Sequence, residues 1–395
     1  MTLNPQLMAS ASIYIVQVGI DSDVFFQGPE GEPLRRQLRY GELLEESHPG
    51  SRMTLVILTP RRDARPFQIG HVEFQPLVVR NWGFGRIIVW VRLWRRLLTL
   101  HAKLSIDVVT TQTVHDEAWL VLLFGRLKRV PVVGQMHYDV FSPAAQEDLS
   151  RNWLVGAVRS ALIKRFLPAF ASVRVVGNRI AATIAERGLN GNVLVLPVMV
   201  PLMNRANPSG AQRKPVVLFV GRLCSQKNMY EWLRVCARVT RQLPAAGFEV
   251  LGDGPLRPEL ERRARELGIT VRFYGFVPNQ ELSTWYSTAG VFLLTSRSEG
   301  FGRVLVEAYA HGLPVVATRI TGVEDIVLHG LTGYLHDLGD TDGMAESVLA
   351  LLRDPSLACR MGQLGEAHVQ EHFDPDRLAG AWVGLLAELA LRAHA

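Results

Sequence analysis

The stretch "VFLLTSRSEGFGRVLVEAYAHGLPVVAT", residues 291–318, contains the structural unit that the rest of the chain repeats. An apolar run leads into a Gly-containing loop, then a helical pattern that ends at Gly312, then a second Val-rich run. Runs of Val, Ile and Leu with little polar alternation are typical of strands buried on both faces, as in parallel sheets. The stretch therefore predicts a strand, a loop, a helix and a second strand.

The same rhythm extends in both directions from this stretch. Strand-like runs occupy residues 12–19, 53–59, 106–112, 130–137, 172–177 and 192–197, and then 216–221, 247–254, 270–275, 290–296, 313–318 and 333–337. A segment rich in Pro, Asn and Gly at 201–215 separates the two series and indicates a linker. Two consecutive doubly wound α/β domains follow from this pattern, and residues 340–395 are predicted to be helical.

The composition agrees with a two-domain folded protein. The chain has 395 residues, 48% of them hydrophobic and 20% charged, and single cores seldom grow past about 250–300 residues. Cys224, Cys236 and Cys359 are too few and too scattered for a disulfide framework or a zinc site, so a reducing cytoplasm fits best. We expect neither a signal peptide nor a membrane span, because the apolar runs are shorter than the roughly 18–20 residues that a span needs.

The positive charge is concentrated in the N-terminal half. Residues 1–200 carry a net charge of +7 and the remainder −1. An anionic membrane surface, a phosphorylated acceptor or a nucleic acid would each suit this half.

In doubly wound sheets, ligands bind beyond the carboxyl ends of the strands. The loop "GRLCSQKN", residues 221–228, lies there. Gly221 permits a sharp turn, and Arg222 and Lys227 place two cations near a helix start, which suits a pyrophosphate. The alternative is a solvated loop that happens to be basic.

The opening stretch offers a second ligand-binding loop. Gly300 and Gly302 allow a bound group to approach the backbone, and the N–H groups of 301–304 lie at the helix start, where they could meet phosphate or sugar oxygens. Glu299 precedes the helix and Glu307 lies about one turn inside it. Ionised carboxylates only accept hydrogen bonds, so the pair suits the hydroxyls of a ribose or hexose. The alternative for Glu307 is a surface helix charge.

The segment "EGFGRVLVE" resembles the E-x7-E motif of retaining GT-B glycosyltransferases. The segments "GRLCSQKN", "GFVPNQEL", "EAYAHGLPVVAT" and "GVEDIVLHGLTGYL" follow the family's order and spacing. The resemblance is strong over 216–375 and weak before it, where it rests on strand rhythm and "PVVGQMHYD". It implies a GT-B fold, with two Rossmann-like doubly wound domains facing a central cleft. Residues 1–203 would bind the acceptor and 204–372 the donor, and 373–395 would cross back to the first domain.

The resemblance also implies a catalytic set made of Arg222, Lys227, Glu299 and His137. The two cations would bind the donor pyrophosphate and Glu299 the donor sugar. His137 would face that sugar from the N-terminal domain; a buried histidine at a strand end is the alternative.

The remaining implied contacts concern the nucleotide and the acceptor. Glu307 would bind the ribose diol and Val277 the base. The other implied donor-binding positions are Gly221, Gly300, Phe301, Gly302 and Val304. Gly28 and Gly31 are candidates for the acceptor loop, which is longer and more acidic here than the family's compact Gly-Gly turn.

The implied reaction moves a sugar with retention from a nucleotide sugar, a UDP- or GDP-sugar being favoured. The acceptor would be lipid-linked or a saccharide, such as a polysaccharide or glycoconjugate precursor. No metal or cofactor is expected, because the family that the chain resembles generally needs no metal. The alternatives are a soluble enzyme acting on a small molecule, a sugar-nucleotide epimerase and a non-catalytic nucleotide-sugar-binding protein.

Two basic, apolar segments, 81–104 and 151–166, predict association with a membrane surface. In a helix over 81–104, Ile87, Trp90, Val91, Trp94 and Leu98 would share one face, and Arg92, Arg96, Thr99 and Lys103 another. Basic amphipathic helices with Trp are typical of peripheral membrane proteins. A crossover helix with solvated arginines is the alternative. Nucleic acid is disfavoured, because no binding module accompanies the charge. The expected location is cytoplasmic, at the inner face of the membrane.

Overall fold

A computed structural model describes residues 11–19, 32–79, 85–114, 117–141, 153–189, 191–201 and 213–394. The chain divides into two compact units. Unit 1 comprises Met1–Met199 and Asp376–Ala395, and unit 2 comprises Val200–Pro375. The sequence-based boundaries were 203/204 and 372/373; the acceptor and donor roles of the two units stay predictions.

Unit 1 is a doubly wound α/β domain. Its elements are β1 (Tyr14–Gly19), α1 (Glu32–Ser47), β2 (Arg52–Thr59), β3 (Phe67–Ile69), β4 (Val72–Val78), α2 (Gly85–Leu104), β5 (Val108–Thr111), α3 (Ala118–Lys128), β6 (Val132–Met136), α4 (Trp153–Phe166), β7 (Ser172–Val175), α5 (Asn178–Glu186), β8 (Val193–Val195) and, from the chain end, α12 (Pro375–His394). The sheet order is β3-β4-β2-β1-β5-β6-β7-β8. All neighbours pair in parallel except β3 with β4.

Strands β3 and β4 are absent from the sequence-based prediction. Along β4 buried and half-buried positions mix, because that strand lies near the sheet edge. It also contains Pro76, which cannot donate to a ladder. β3 pairs with β4 only over Val72–Phe74, so the missing N–H lies beyond the β3 pairing. Pro76, which in the sequence argues against a central strand, is tolerated in β4 because no hydrogen bond to β3 is needed at that position.

Unit 2 has a fully parallel six-stranded sheet in the order β11-β10-β9-β12-β13-β14. Its elements are β9 (Val216–Val220), α6 (Met229–Gln242), β10 (Gly247–Leu251), α7 (Arg257–Glu266), β11 (Arg272–Gly275), α8 (Leu282–Thr288), β12 (Val291–Leu294), α9 (Arg303–Ala310), β13 (Val315–Thr318), β14 (Gly333–His336), α10 (Thr341–Arg353) and α11 (Pro355–His372). Strand order reverses between β9 and β12. Crevices at such a switch point bind ligands in α/β proteins.

The last helix, α12, packs on unit 1. Its Trp382 is fully buried, with the Arg174 guanidinium 4.8 Å from the ring centroid. Asp376 accepts a hydrogen bond from Arg39 Nε at 2.8 Å. His394 Nε2 lies 2.6 Å from Asp107 Oδ1, just before β5. These contacts attach both ends of α12 to the first domain.

Helix α2 buries a second apolar face that the sequence analysis did not identify. Its buried side chains are Val89, Leu93, Leu97 and Leu100. Trp90 and Trp94 make edge-to-face contacts with Trp119 and Phe124 of α3, at 5.1 and 6.1 Å. The tryptophans therefore join two helices, while Ile87, Ile88 and Val91 near the start of α2 and Leu104 at its end are exposed. Across the described parts of the chain, no helix combines the length and apolarity needed to cross a membrane.

Candidate active site

The loops after β9 and β12 meet at the switch point of unit 2. Arg297 N donates to Gln226 O at 2.8 Å, and Gln226 Nε2 donates to Ser298 O at 3.0 Å. Thr295 Oγ1 adds a bond to Lys227 O at 3.2 Å. The two loops predicted to bind one ligand are thus fixed to each other.

Lys227 and Glu299 form the central ion pair of these loops. Lys227 Nζ lies 2.6 Å from Glu299 Oε1, with 14% and 8% of the two side chains exposed. Ser296 Oγ donates to the same carboxylate oxygen at 2.6 Å. Because both donors use Oε1, Oε2 remains the oxygen that can turn to a ligand. Arg222, in the same β9 loop as Gly221, is exposed, so the site has one neutralised and one solvated cation.

The start of α9 is built by close backbone approach. Gly302 N donates to Gly322 O at 3.0 Å, and Arg303 N donates to Phe301 O at 2.8 Å. These two N–H groups are occupied inside the protein, although the sequence suggested that all of 301–304 face a ligand. Gly322 has φ +83°, and a Cβ there would lie 2.6 Å from Gly300 O and 2.7 Å from Glu299 O. Only a glycine at position 322 allows the backbone to approach this closely, so the position of the loop that carries Glu299 depends on it.

Phe301 and Val304 occupy the two flanks of this helix start. The Phe301 ring contacts Phe373, with 5.8 Å between centroids. The ring is therefore held by the protein, and only the Phe301 backbone is placed to act as predicted. Val304 is half-buried in the first turn of α9.

Glu307 is anchored from the neighbouring helix. Tyr286 OH in α8 donates to Glu307 Oε2 at 2.8 Å, and Arg303 Nη2 lies 3.9 Å from Oε1. Only 11% of the Glu307 side chain is exposed, which excludes the surface-charge alternative. Burial first, and then the charge of Glu307, raise the pKa of Tyr286 well above its usual range. Tyr286 therefore stays protonated and donates a hydrogen bond to this carboxylate.

His311 supports the Tyr286 ring and the backbone of Glu307. It stacks on Tyr286 with 5.4 Å between ring centroids. Its two ring nitrogens lie 2.8 Å from Glu307 O and 2.9 Å from Ser283 Oγ. The Glu307 carboxylate is thus held by Tyr286, whose ring is backed by the buried His311. Sequence reasoning missed both residues.

At the end of β11, Phe276 is 75% exposed and Val277 is half-buried. Nearby, Tyr274 packs on Trp285 of α8 at 4.4 Å. Exposed apolar surface beside a strand end suits a planar base.

In unit 1, His137 follows β6, as predicted, and keeps part of its surface accessible. Burial, followed by the nearby charges of Arg174 and Arg36, lowers the pKa of His137 to about 3. The imidazole is therefore neutral at physiological pH and can accept or donate one hydrogen bond. The approach of His137 to a donor sugar stays a prediction.

Two further predictions concern the acceptor loop and metal. Gly28 and Gly31 lie outside the described residues. Within the described residues, no group of three or more His, Cys, Asp or Glu side chains could hold a metal ion.

The fold and the site together define a two-domain protein of GT-B type. One family model, glycosyl transferase 4-like domain, matches residues 37–198, and another, glycosyl transferases group 1, matches residues 204–368. The chain belongs to the group 1 glycosyltransferases of GT-B fold.

Individual proteins support this assignment. The lipopolysaccharide core biosynthesis glycosyltransferase LpsE of Rhizobium meliloti is 30% identical over 187 residues, which cover 47% of this chain and 53% of that protein. Sucrose-phosphate synthase from Thermosynechococcus elongatus superposes with a TM-score of 0.78 at 19% identity, covering 96% of this chain and all of that one. Anabaena HepE, solved with UDP and glucose, gives a TM-score of 0.71 at 19% identity over 95% of this chain and all of that one. The first curated relatives are matched over only 30–54% of their own lengths.

Proposed function

We propose that this chain transfers a sugar, with retention of configuration, from a nucleotide sugar bound by unit 2. The acceptor is a lipid-linked or polysaccharide-precursor saccharide. The observation that carries the proposal is the pair of carboxylates flanking the start of α9. Glu299 is anchored by Lys227 and Ser296, and Glu307 by Tyr286. An ionised carboxylate accepts several hydrogen bonds, so both groups suit ligand hydroxyls.

The chemistry assigned to these residues is electrostatic. Arg222 and Lys227 bind the pyrophosphate and stabilise the charge that develops as it leaves. Glu299 orients the sugar and Glu307 the ribose, with UDP- or GDP-sugars as the favoured donors. The role of His137 and the absence of a metal requirement belong to the same proposal and rest on the family resemblance.

A lipid-linked or polysaccharide acceptor is supported by the related LpsE, whose name places it in lipopolysaccharide core biosynthesis. The basic segments 81–104 and 151–166 support a location at the inner face of the membrane. On α2, Ile87, Ile88 and Val91 are 59%, 57% and 47% exposed, and these side chains, rather than the packed tryptophans, would enter the interface.

The first experiment is calorimetry of the purified chain with UDP-, GDP-, ADP- and dTDP-sugars, with and without EDTA. We expect saturable binding of one nucleotide sugar that survives EDTA. Binding should be lost in Arg222→Ala and kept in Arg241→Ala, a matched exposed arginine outside the site. Absence of binding to all four would refute the donor site.

A second measurement separates the alternatives. Transfer to a saccharide acceptor, with the product anomer read by NMR, would establish a retaining transferase. Conversion of the nucleotide sugar without an acceptor would establish an epimerase. Binding without turnover of any kind would leave the non-catalytic alternative.

A further inference from the structure

An apolar groove of about 720 Å³ opens on unit 1, between α3, the end of α4 and the end of α12. Its walls include Trp119, Leu122, Phe166 and Phe170. It lies beside Val132, where β6 begins, whereas His137 follows the other end of that strand. Five extended residues span about 16 Å. The groove is therefore a site separate from the one that His137 serves.

Three arginines border this apolar groove: Arg126, Arg129 and Arg165. All three are exposed, and no acidic side chain is among the described residues lining the groove. Arg262 of α7 in unit 2, in contrast, pairs with Glu259 and Glu266. No such ion pair is formed by the three groove arginines within the described parts of the chain. Their charge is thus available to an anionic ligand.

The surroundings of the groove are also apolar. Leu123 and Leu127 of α3 are 43% and 61% exposed, and Leu162 of α4 is 45% exposed. Trp119 connects the groove to α2 through its contact with Trp90. The groove therefore lies between the two segments for which we propose membrane contact.

We propose that this groove binds an anionic membrane phospholipid. The acyl chain packs against the aromatic and aliphatic walls, and the phosphate binds the three guanidinium groups, whose planar donors match phosphate oxygens. The groove volume falls in the range of about 300–1,000 Å³ typical of ligand sites. Free phosphate would leave the apolar walls unused, so the charge and the walls together favour a lipid. The inference rests on the membrane association in the proposed function and adds the lipid class and the site.

The test is co-sedimentation of the full chain with vesicles of phosphatidylcholine alone or mixed with phosphatidylglycerol. A basic residue near an anionic surface contributes about fivefold in affinity. Arg126→Glu with Arg165→Glu should therefore weaken binding to the mixed vesicles by at least roughly 25-fold. Arg241→Glu with Arg360→Glu, the same charge change on exposed residues of unit 2, should change it little.

A second pair of variants tests the groove rather than the charge. Ala169→Trp places a ring in the groove from an exposed position, and Ala185→Trp is its exposed control on α5. Excluding even two methylenes should cost about tenfold in affinity. Ala169→Trp should therefore weaken binding to the mixed vesicles, and Ala185→Trp should not. Melting curves establish that each variant is folded.

Three results would overturn the lipid site. Equal losses in the two double arginine variants would show a general charge effect. Wild-type binding by Ala169→Trp would show that the groove is not entered. A dimer in solution that Ala169→Trp dissociates would assign the groove to a second copy of the chain. Calorimetry with nucleotide sugars on the same samples reports the transferase proposal separately, since unit 2 is unchanged in the groove variants.

Discussion

Tyr286→Phe should disconnect Glu307 from its anchor without changing the shape of the core. Tyr286 is fully buried in α8, and its hydroxyl donates to the Glu307 carboxylate at 2.8 Å. Phenylalanine removes one oxygen and leaves the ring in place. The variant therefore isolates a single hydrogen bond to a charged acceptor.

The expected cost follows from this geometry. Hydrogen bonds to charged groups contribute about 1.5–3 kcal/mol, and a buried position offers no water as a substitute. Arg303, 3.9 Å from the other carboxylate oxygen, compensates in part, so we expect a loss of about 2 kcal/mol. For a domain the size of unit 2, each kcal/mol lowers Tm by about 2–4 °C. The melting temperature of unit 2 should therefore fall by about 4–8 °C in Tyr286→Phe.

Tyr309→Phe provides a matched control. Tyr309 is also fully buried and lies on α9, but its hydroxyl pairs with the neutral Thr332 Oγ1 at 2.9 Å. Removing a neutral hydrogen bond costs about 1 kcal/mol. Scanning calorimetry of the full chain compares the two variants.

Nucleotide binding supplies a second readout. If Glu307 binds the ribose diol, the wild type should prefer ribose over 2′-deoxyribose nucleotides. Tyr286→Phe should reduce that preference and Tyr309→Phe should not. Equal melting shifts in the two variants, with unchanged ribose preference in both, would refute the reasoning.

Three further predictions test other parts of the molecule. Glu299→Gln should lower the rate of sugar transfer, measured by kinetics, by about 100-fold or more. Calorimetry should show nucleoside diphosphate binding kept or tightened, because Lys227 loses its charged partner. Unchanged turnover would contradict the role of Glu299. Gly322→Ala should destabilise unit 2 by about 1–3 kcal/mol more than Gly330→Ala. Both glycines have positive φ, but only a Cβ at position 322 would meet backbone atoms within 4 Å. Equal urea midpoints of the two variants would count against this prediction. His137→Gln should make unit 1 less sensitive to acid. The folded pKa of His137 is about 3, below its ordinary value, so the stability that the neutral imidazole contributes is complete above about pH 6.5 and is lost as the pH falls toward 3. Identical pH–stability curves for the variant and the wild type would argue against this.

The strands could be predicted because most are buried on both faces. β9, β12 and β13 are buried at every position, which gives continuous apolar runs. β4 was not predicted because its half-exposed positions and Pro76 interrupt the apolar pattern that is typical of a buried strand. The prediction for α2 was incomplete because it gave one apolar stripe where the helix has two: Leu93 packs inward, while Trp90 packs sideways on α3. A single helix does not specify how many neighbours it has.

The site residues divide in the same way. Lys227, Glu299 and Glu307 could be proposed because they follow strands that end at one sheet edge. Tyr286 and Gly322 could not, because their partners lie 21 residues away for Tyr286 and on a separate loop for Gly322. A charged residue in an apolar helix signals that it needs a partner, but not which helix supplies it. Only the parallel sheet, which places α8 beside α9, supplies that information.

The charge pairing in unit 2 has a consequence for how a donor is discriminated. Lys227 is bonded to Glu299 at 2.6 Å, so a pyrophosphate that binds Lys227 competes with this carboxylate. The competition is relieved if Glu299 turns to accept hydroxyls from the sugar attached to that pyrophosphate. A nucleotide sugar satisfies both groups, whereas a nucleoside diphosphate satisfies only the lysine. If the proposed donor site is right, the ion pair should therefore favour the intact donor over the released nucleotide, and this preference should disappear in Glu299→Gln.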